Sequence, residues 1–204
     1  MDTPEAGSIG STAIRALHDS SLAVASWAKS GAIRHADGPW RAIEDNHRCN
    51  CLLWDEEDLA RRRDVADAEI ANSKRAIDGY NQMRNDAIER IDEQLVDLLF
   101  KMKADPDARL NSETPGAMID RLSILSLKIH HMRLQTLRTD VDGAHIENCL
   151  LKLNRLNEQR TDLASCLDRL LAEAARGEAC FKVYRQFKMY NDPELNPALY
   201  GKRR

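Results

Sequence analysis

Apolar residues recur at helical spacing through most of this chain, and the spacing predicts an all-α bundle of four to five long helices. Leu17, Leu22, Val24 and Trp27 give an apolar side to a first helix, capped by Ser11 or Thr12 and running to about Lys29, where Ser30-Gly31 can end it. Pro39 suits the first turn of the next helix. From Trp40 to Met102 only Gly79 interrupts, so this stretch reads as one very long helix or as two meeting near Cys51–Asp55. A further helix over about Ala117–Arg138 carries Met118, Leu122, Leu125, Ile129 and Met132 on one side. It has Ile124 and Leu127 on the other, which places it in the middle of the bundle. The last long helix, about Ala144–Arg176, has a leucine-rich seam interrupted by Asn157 and Arg160. Residues 104–116, with two prolines, read as a loop, and Asp142-Gly143 as a break. Beyond Gly177 the pattern changes. Phe181, Val183, Arg185, Phe187 and Met189 alternate as an extended segment does, and Pro193 and Pro197 then forbid a regular element. The expected organisation is a flexible N-terminus (1–10), a helical bundle (11–177) and an irregular, basic, aromatic C-terminal strap packed on the bundle (178–204).

A polar stripe runs down the side of the second long stretch that should face a core. Ile70, Ile77, Ile88, Ile91, Leu95, Leu98 and Leu99 define that side. Lys74, Asp78, Asn81, Arg84, Asn85 and Asp92 fall into it or beside it, most of them within roughly 60° of one another at about 100° per residue. Burying such groups without partners costs roughly 1–3 kcal/mol each, and more when charged. They must pair internally, for example Asp78 with Lys74 and Asp120 with Arg84, or line a polar pocket, or face solvent. If the helix is continuous, Glu56, Arg63 and Asp67 extend the stripe. The central helix adds a second polar set, Asp120, Ser123, Lys128 and His131, with Arg121 beside it.

Composition narrows the function classes. The chain has 204 residues, 43% hydrophobic and 31% charged, with a net charge of −3, so a real core can form and bulk nucleic-acid binding is disfavoured. No apolar run approaches the roughly 20 residues of a membrane span. Five cysteines, an odd number, form no disulfide framework and point to a reducing, cytoplasmic setting. Cys49-Asn50-Cys51 lacks zinc-knuckle spacing. There is no Gly-rich phosphate loop and no GxSxG elbow.

Several strings are specific enough to carry a resemblance. They are Asn50-Cys51-Leu52-Leu53-Trp54 followed by Glu57-Asp58, Lys74-Arg75-Ala76-Ile77-Asp78, Asn81-Gln82-Met83-Arg84-Asn85-Asp86, the run from Gly116 to Ile129, and the run from Lys182 to Pro193. From about residue 45 onward the chain resembles an uncharacterised bacterial family known only as a domain of unknown function. The resemblance implies a soluble bacterial protein, often encoded near glycosyltransferases of cell-envelope polysaccharide synthesis. It implies no activity and brings no catalytic residues.

The leading expectation is a cytoplasmic accessory or small-ligand-binding protein of envelope-glycan synthesis, holding a polar anion such as a sugar nucleotide between helices. Its expected ligand-binding residues are Lys74, Asp78, Asn81, Arg84, Asn85, Asp120, Arg121, Lys128, Arg185 and Lys188. Asn81 and Asn85 would bond hydroxyls, Arg84 and Arg185 would meet phosphate or carboxylate, and Arg185 and Lys188 would close the site. For Arg185 the competing reading is that the basic tail docks on the acidic body. No cofactor is expected for such a binding protein. The alternative is a magnesium-dependent nucleotide or nucleotide-sugar phosphohydrolase of the all-α kind, with Glu57, Asp58, Asp78, Asp92 and Asp120 as ligands; three or more converging carboxylates would favour it. His131 titrates near neutral pH and is a candidate acid–base group, against the commoner reading of a satisfied structural histidine. A third reading is a structural partner of a glycosyltransferase. The long helices also suggest a homodimer.

Overall fold

The computed structural model describes residues 9–99, 107–187, 189 and 192–200. Most of the expected N-terminal tail, residues 100–106, and Lys188 lie outside the described residues. The elements are α1 (Ser11–Leu22), α2 (Trp27–Ser30), α3 (Gly38–Leu59), α4 (Asp67–Leu99), β1 (Arg109–Leu110), α5 (Pro115–Thr136), α6 (Gly143–Ala175), β2 (Ala179–Cys180) and α7 (Pro197–Tyr200). The architecture is predominantly all-α, with one minimal parallel pair in which Arg109 and Leu110 of β1 face Ala179 and Cys180 of β2. No described helix is long and apolar enough to cross a membrane.

The first expected helix is cut short. Neither Ser11 nor Thr12 caps α1; the cap is Gly10, and a carboxylate from another helix completes the turn. Asp168 of α6 accepts from the Ser11 N–H at 2.8 Å and from its hydroxyl at 2.7 Å. Such a bond satisfies a first-turn donor that has no partner in its own helix. The chain then breaks before α2 at Ser26, whose φ of 56° lies in the left-handed region. Side chains of α3 hold the segment that follows. Arg48 donates to the carbonyls of Trp27, Ala28 and Gly31 and lies over the Trp27 ring. Buried Glu44 accepts from the backbone N–H of Arg34 and His35.

The stretch from Trp40 onward is two helices, and they meet at residues 60–66, not near Cys51–Asp55. Arg61-Arg62-Arg63-Asp64 offers nothing to bury, so the apolar stripe lapses there and the chain reverses. Glu56, Arg63 and Asp67 therefore do not extend the α4 stripe. The two helices run side by side, joined at their other end by Arg90 and Asp45 at 3.2 Å.

α5 occupies the middle of the bundle, as its two apolar sides predict. Met118, Ile119, Leu122, Leu125, Leu127 and Ile129 are all buried. Thr114 caps it, accepting from the Ala117 N–H at 3.2 Å. α6 begins with an Asp142 cap on the His145 N–H and ends at Gly177, whose φ of 75° a glycine adopts without strain. Arg160, which interrupts the α6 seam, reaches across to Asp19 of α1 at 2.7 Å. The main core joins Ile14, Ile43, Ile91, Leu95, Ile119, Leu122 and Leu167 from five helices.

The alternation at residues 181–187 makes no strand beyond Cys180, and Pro197, expected to forbid a regular element, instead opens the one-turn helix α7, where a proline at the first helical position loses no hydrogen bond. The alternating residues lie along α4 instead. Arg185 pairs with Glu89 and Glu93, and the Gln186 N–H donates to Glu89 at 2.9 Å.

Candidate functional site

A polar cluster sits where α3 crosses α5, inside the bundle. Asn46 and Asn50 of α3 each donate through Nδ2 to the same oxygen of Asp120 on α5, both at 2.9 Å. Asn50 also reaches the Ser123 hydroxyl at 3.0 Å, and that hydroxyl lies 2.8 Å from Nδ1 of His47. All five residues are buried. The spacing explains the convergence. Residues 46 and 47 each lie one turn before 50 on α3, and 120 lies one turn before 123 on α5, so two adjacent faces meet as a pair of short polar ladders.

Two histidines close the inner side of this cluster. The His18 ring of α1 stacks on His47 with centroids 4.4 Å apart, and both are fully buried. Neither ring nitrogen of His18 has a hydrogen-bond partner. Burial is the main reason both titrate low: His18 lies well below the usual histidine value, and His47 is pushed down to about 3. The pair is therefore neutral at physiological pH. Cys51 lies 3.8 Å from His47 Nε2, and burial raises its thiol to about 12, so it packs as a small apolar side chain.

Toward solvent the cluster opens into a cleft of about 380 Å³ between α3, α4 and α5, with a mainly apolar wall of Leu53, Trp54, Ile124 and Leu127 and a polar edge of Asn50, Glu57, Asp58, Arg61 and Arg84. Arg84 is the link between interior and cleft. Its Nε lies 3.9 Å from Asp120, near enough for attraction but too long for a hydrogen bond, and Nε is buried with no hydrogen-bond partner. Arg61 pairs with Glu57 one turn away at 2.9 Å. On the far side of Trp54, its ring stacks on His131 at 4.4 Å with the planes 7° apart.

The residues expected to bind ligand are dispersed. Arg84 and Asp120 meet in the cluster. Lys74 and Asp78 pair with each other at 3.0 Å on the surface, and Asn81 lies half-buried one turn further on. Arg121 is exposed and pairs with Glu113 at 2.6 Å. Lys128, two turns further along the same side of α5 as Arg121, is also exposed. Arg185 is engaged with Glu89 and Glu93, so it docks the strap and does not close this cleft. Both ion pairs expected of an internal network, Lys74–Asp78 and Arg84–Asp120, form, but only the second reaches the interior.

Asn85 turns away from the cleft into a second one of about 380 Å³, shared with Asp92 and the start of α5. Asp92 accepts from the Gly116 N–H at 2.6 Å and from the Thr114 side chain. Burial, more than any neighbouring charge, raises its carboxyl to about 6. Gly116 is needed there, because a Cβ would come within 2.6 Å of the Ile88 carbonyl oxygen. The five carboxylates considered for magnesium therefore divide. Glu57 and Asp58 edge the first cleft, Asp120 lies behind it, Asp78 is on the surface and Asp92 serves the α5 start. Among the described residues no group of three or more His, Cys, Asp and Glu converges as metal ligands would.

Asn46, His47 and His18 do not stand out in the sequence pattern, although a signal is present. On α3, His47 and Asn50 interrupt the stripe of Trp40, Ile43 and Trp54 in the same way that the polar residues interrupt α4.

The fold and cluster define a helical bundle with a polar cluster in its interior. The chain matches the family described as "Protein of unknown function (DUF4254)" over residues 40–183, and it belongs to that family. The matched stretch begins at Trp40 in the first turn of α3 and contains Asn46, His47, Asn50, Arg84, Asp120 and Ser123, while His18 lies outside it. Neither the curated proteins nor the solved structures gave a match.

Proposed function

We propose that this protein binds a small polar anion, of the phosphate or carboxylate class, in the cleft edged by Asn50, Trp54, Arg61 and Arg84. Arg84 is the observation that carries the reading. A guanidinium with one buried, unpartnered N–H, anchored loosely by a buried carboxylate, is under-satisfied where it stands. An anion at Arg84, with Arg61 and its Glu57 partner beside it, would satisfy the guanidinium, and charge-assisted bonds to a planar guanidinium are among the strongest available to a small ligand. Asn50 supplies a polar neighbour for hydroxyls, and Trp54 a flat face. On the family resemblance, the ligand is a sugar nucleotide and the protein a cytoplasmic accessory of bacterial envelope-glycan synthesis, acting beside a glycosyltransferase.

The test is a thermal-shift series with inorganic phosphate, pyrophosphate and a panel of sugar nucleotides, each with and without magnesium. At least one anion should raise Tm in the wild type; that rise should disappear in Arg84→Met and persist in Lys74→Met. No rise with any anion, or a rise that survives Arg84→Met, overturns the reading. A rise that needs magnesium, accompanied by phosphate release, selects the phosphohydrolase alternative with Glu57 and Asp58.

A further inference from the structure

On the other side of Trp54 from the anion cleft, a groove of about 800 Å³ runs between α3 and α6 with α5 as its floor. Its apolar surface comes from Trp54, Met132, Leu151 and Leu156. Leu151 is 67% exposed, on the side of α6 away from the core. The Trp54–His131 stack presents a flat wall, and burial next to His130 holds His131 below the usual histidine value, so this wall is uncharged near neutral pH. The rim is predominantly basic. Lys128, Lys152 and Arg155 face a single carboxylate, Asp58, in a chain whose net charge is −3. Arg155 has only an exposed neighbour, Glu158, at 3.3 Å. Cavities of this size hold drug-sized or cofactor-sized ligands, and a mainly apolar lining with a few charges fixes both the body and the orientation of what enters.

We infer that this groove is a second ligand site, for an amphiphilic anion: an extended or flat apolar body seated on Trp54, Met132 and Leu151, with a phosphate or carboxylate end held by Lys152, Arg155 and Lys128. The charge asymmetry is what selects the occupant. An apolar chain alone gains nothing from three cations on the rim, and a free phosphate gains nothing from the leucines and the indole. This site does not depend on the anion cleft, with which it shares Trp54 and Asp58 but neither Arg61 nor Arg84.

The experiment uses the full chain and four probes well below any micelle concentration: dodecyl phosphate, dodecanol, dodecyltrimethylammonium and inorganic phosphate. Binding is read by calorimetry and by tryptophan fluorescence, since Trp27 and Trp40 are buried in the bundle and Trp54 borders the groove. Dodecyl phosphate should bind saturably, at least tenfold more tightly than dodecanol or the cationic amphiphile. The affinity should fall at least tenfold in the double variant Lys152→Glu, Arg155→Glu and in Leu151→Asp, and hold in Arg84→Met. Trp54→Phe should remove the fluorescence change while leaving calorimetric binding. Equal affinity for anionic and cationic amphiphiles, or affinity unchanged by the charge reversal, overturns the inference. So does a wild-type dimer that Leu151→Asp converts to monomer, because a second copy would then cover the groove.

Discussion

The two halves of α4 carry much the same pattern and meet opposite fates. From Ile70 to Asn81, isoleucines alternate with Lys74, Asp78 and Asn81, and the polar residues end in or near solvent, with Lys74 and Asp78 bonded to each other. From Arg84 to Leu99 the same alternation goes inside: Asn85 and Asp92 are buried, and Arg84 is partly so. The polar contacts that tie α4 to α5 lie in this second half, the Arg84–Asp120 ion pair and the hydrogen bond from the start of α5 to Asp92. A helix with one neighbour keeps its polar flank wet; a helix wedged against two must find partners for it. Periodicity gives the direction of a face, and the number of elements covering it decides what that face costs.

The contrast predicts a steep gradient of mutational effect. Asp120→Ala should have the largest effect, about 3 kcal/mol or more in urea unfolding, because it strands Asn46, Asn50 and Arg84 together. A loss under 1 kcal/mol would mean that the interior polar residues reach water. The histidine pair comes next. The unfolded chain takes up protons near pH 6.5 that His18 and His47 refuse when folded, so their contribution to stability is present above about pH 6.5 and is lost as pH falls toward 3. His47→Gln should remove about 2 kcal/mol of the stability difference between pH 7.5 and pH 5; an unchanged pH slope would place the ring in water.

Asp92 works with the opposite sign. Its folded carboxyl titrates near 6, above the unfolded value of 3.8, so the folded state holds the proton more tightly and its contribution is lost as pH rises through 6. Asp92→Asn should therefore stabilise by about 1–2 kcal/mol at pH 7.5 and have no effect near pH 4, as pH-dependent chemical denaturation would report. A destabilised Asp92→Asn at pH 7.5 would indicate a cation beside the carboxylate. In the outer half, Lys74→Ala and Asn81→Ala should each change stability by less than about 0.5 kcal/mol. A larger loss at either position would erase the distinction between the halves.

Much of the fold is legible in the residues. The all-α bundle, the central position of α5 and the approximate extents of α5 and α6 follow from apolar spacing, Asp142-Gly143 and Gly177, while the Thr114 cap and the start of α5 at Pro115 lie in what reads as a loop. The α3–α4 turn is misplaced by pattern alone because the arginine-rich segment at 61–63 continues a helical composition while offering no apolar side to bury. The break at Ser26 is hidden because nothing in Ala25-Ser26 demands a left-handed residue. The site is half legible. Arg84 and Asp120 belong to it, but Lys74, Asp78 and Asn81 group with them on the helix because a wheel cannot tell one neighbour from two. Asn46, His47 and Asn50 escape a reading of α4 by itself, since the matching interruption lies on the helix before it. Arg185 is readable as a cation seeking an anion, but its partners, Glu89 and Glu93, belong to the protein itself.

The central claim is that the inner polar half of this bundle, and not its outer stripe, meets an anionic ligand. The most direct measurement follows the arginine side-chain Nε–H resonances of the folded protein by nitrogen-edited NMR during titration with pyrophosphate and then a sugar nucleotide. The account predicts a saturable shift at Arg84, with a smaller one at Arg61, while Arg75 on the outer half of α4 and Arg185 in the strap stay in place. Shifts spread evenly over the surface arginines, with Arg84 unmoved, would contradict it.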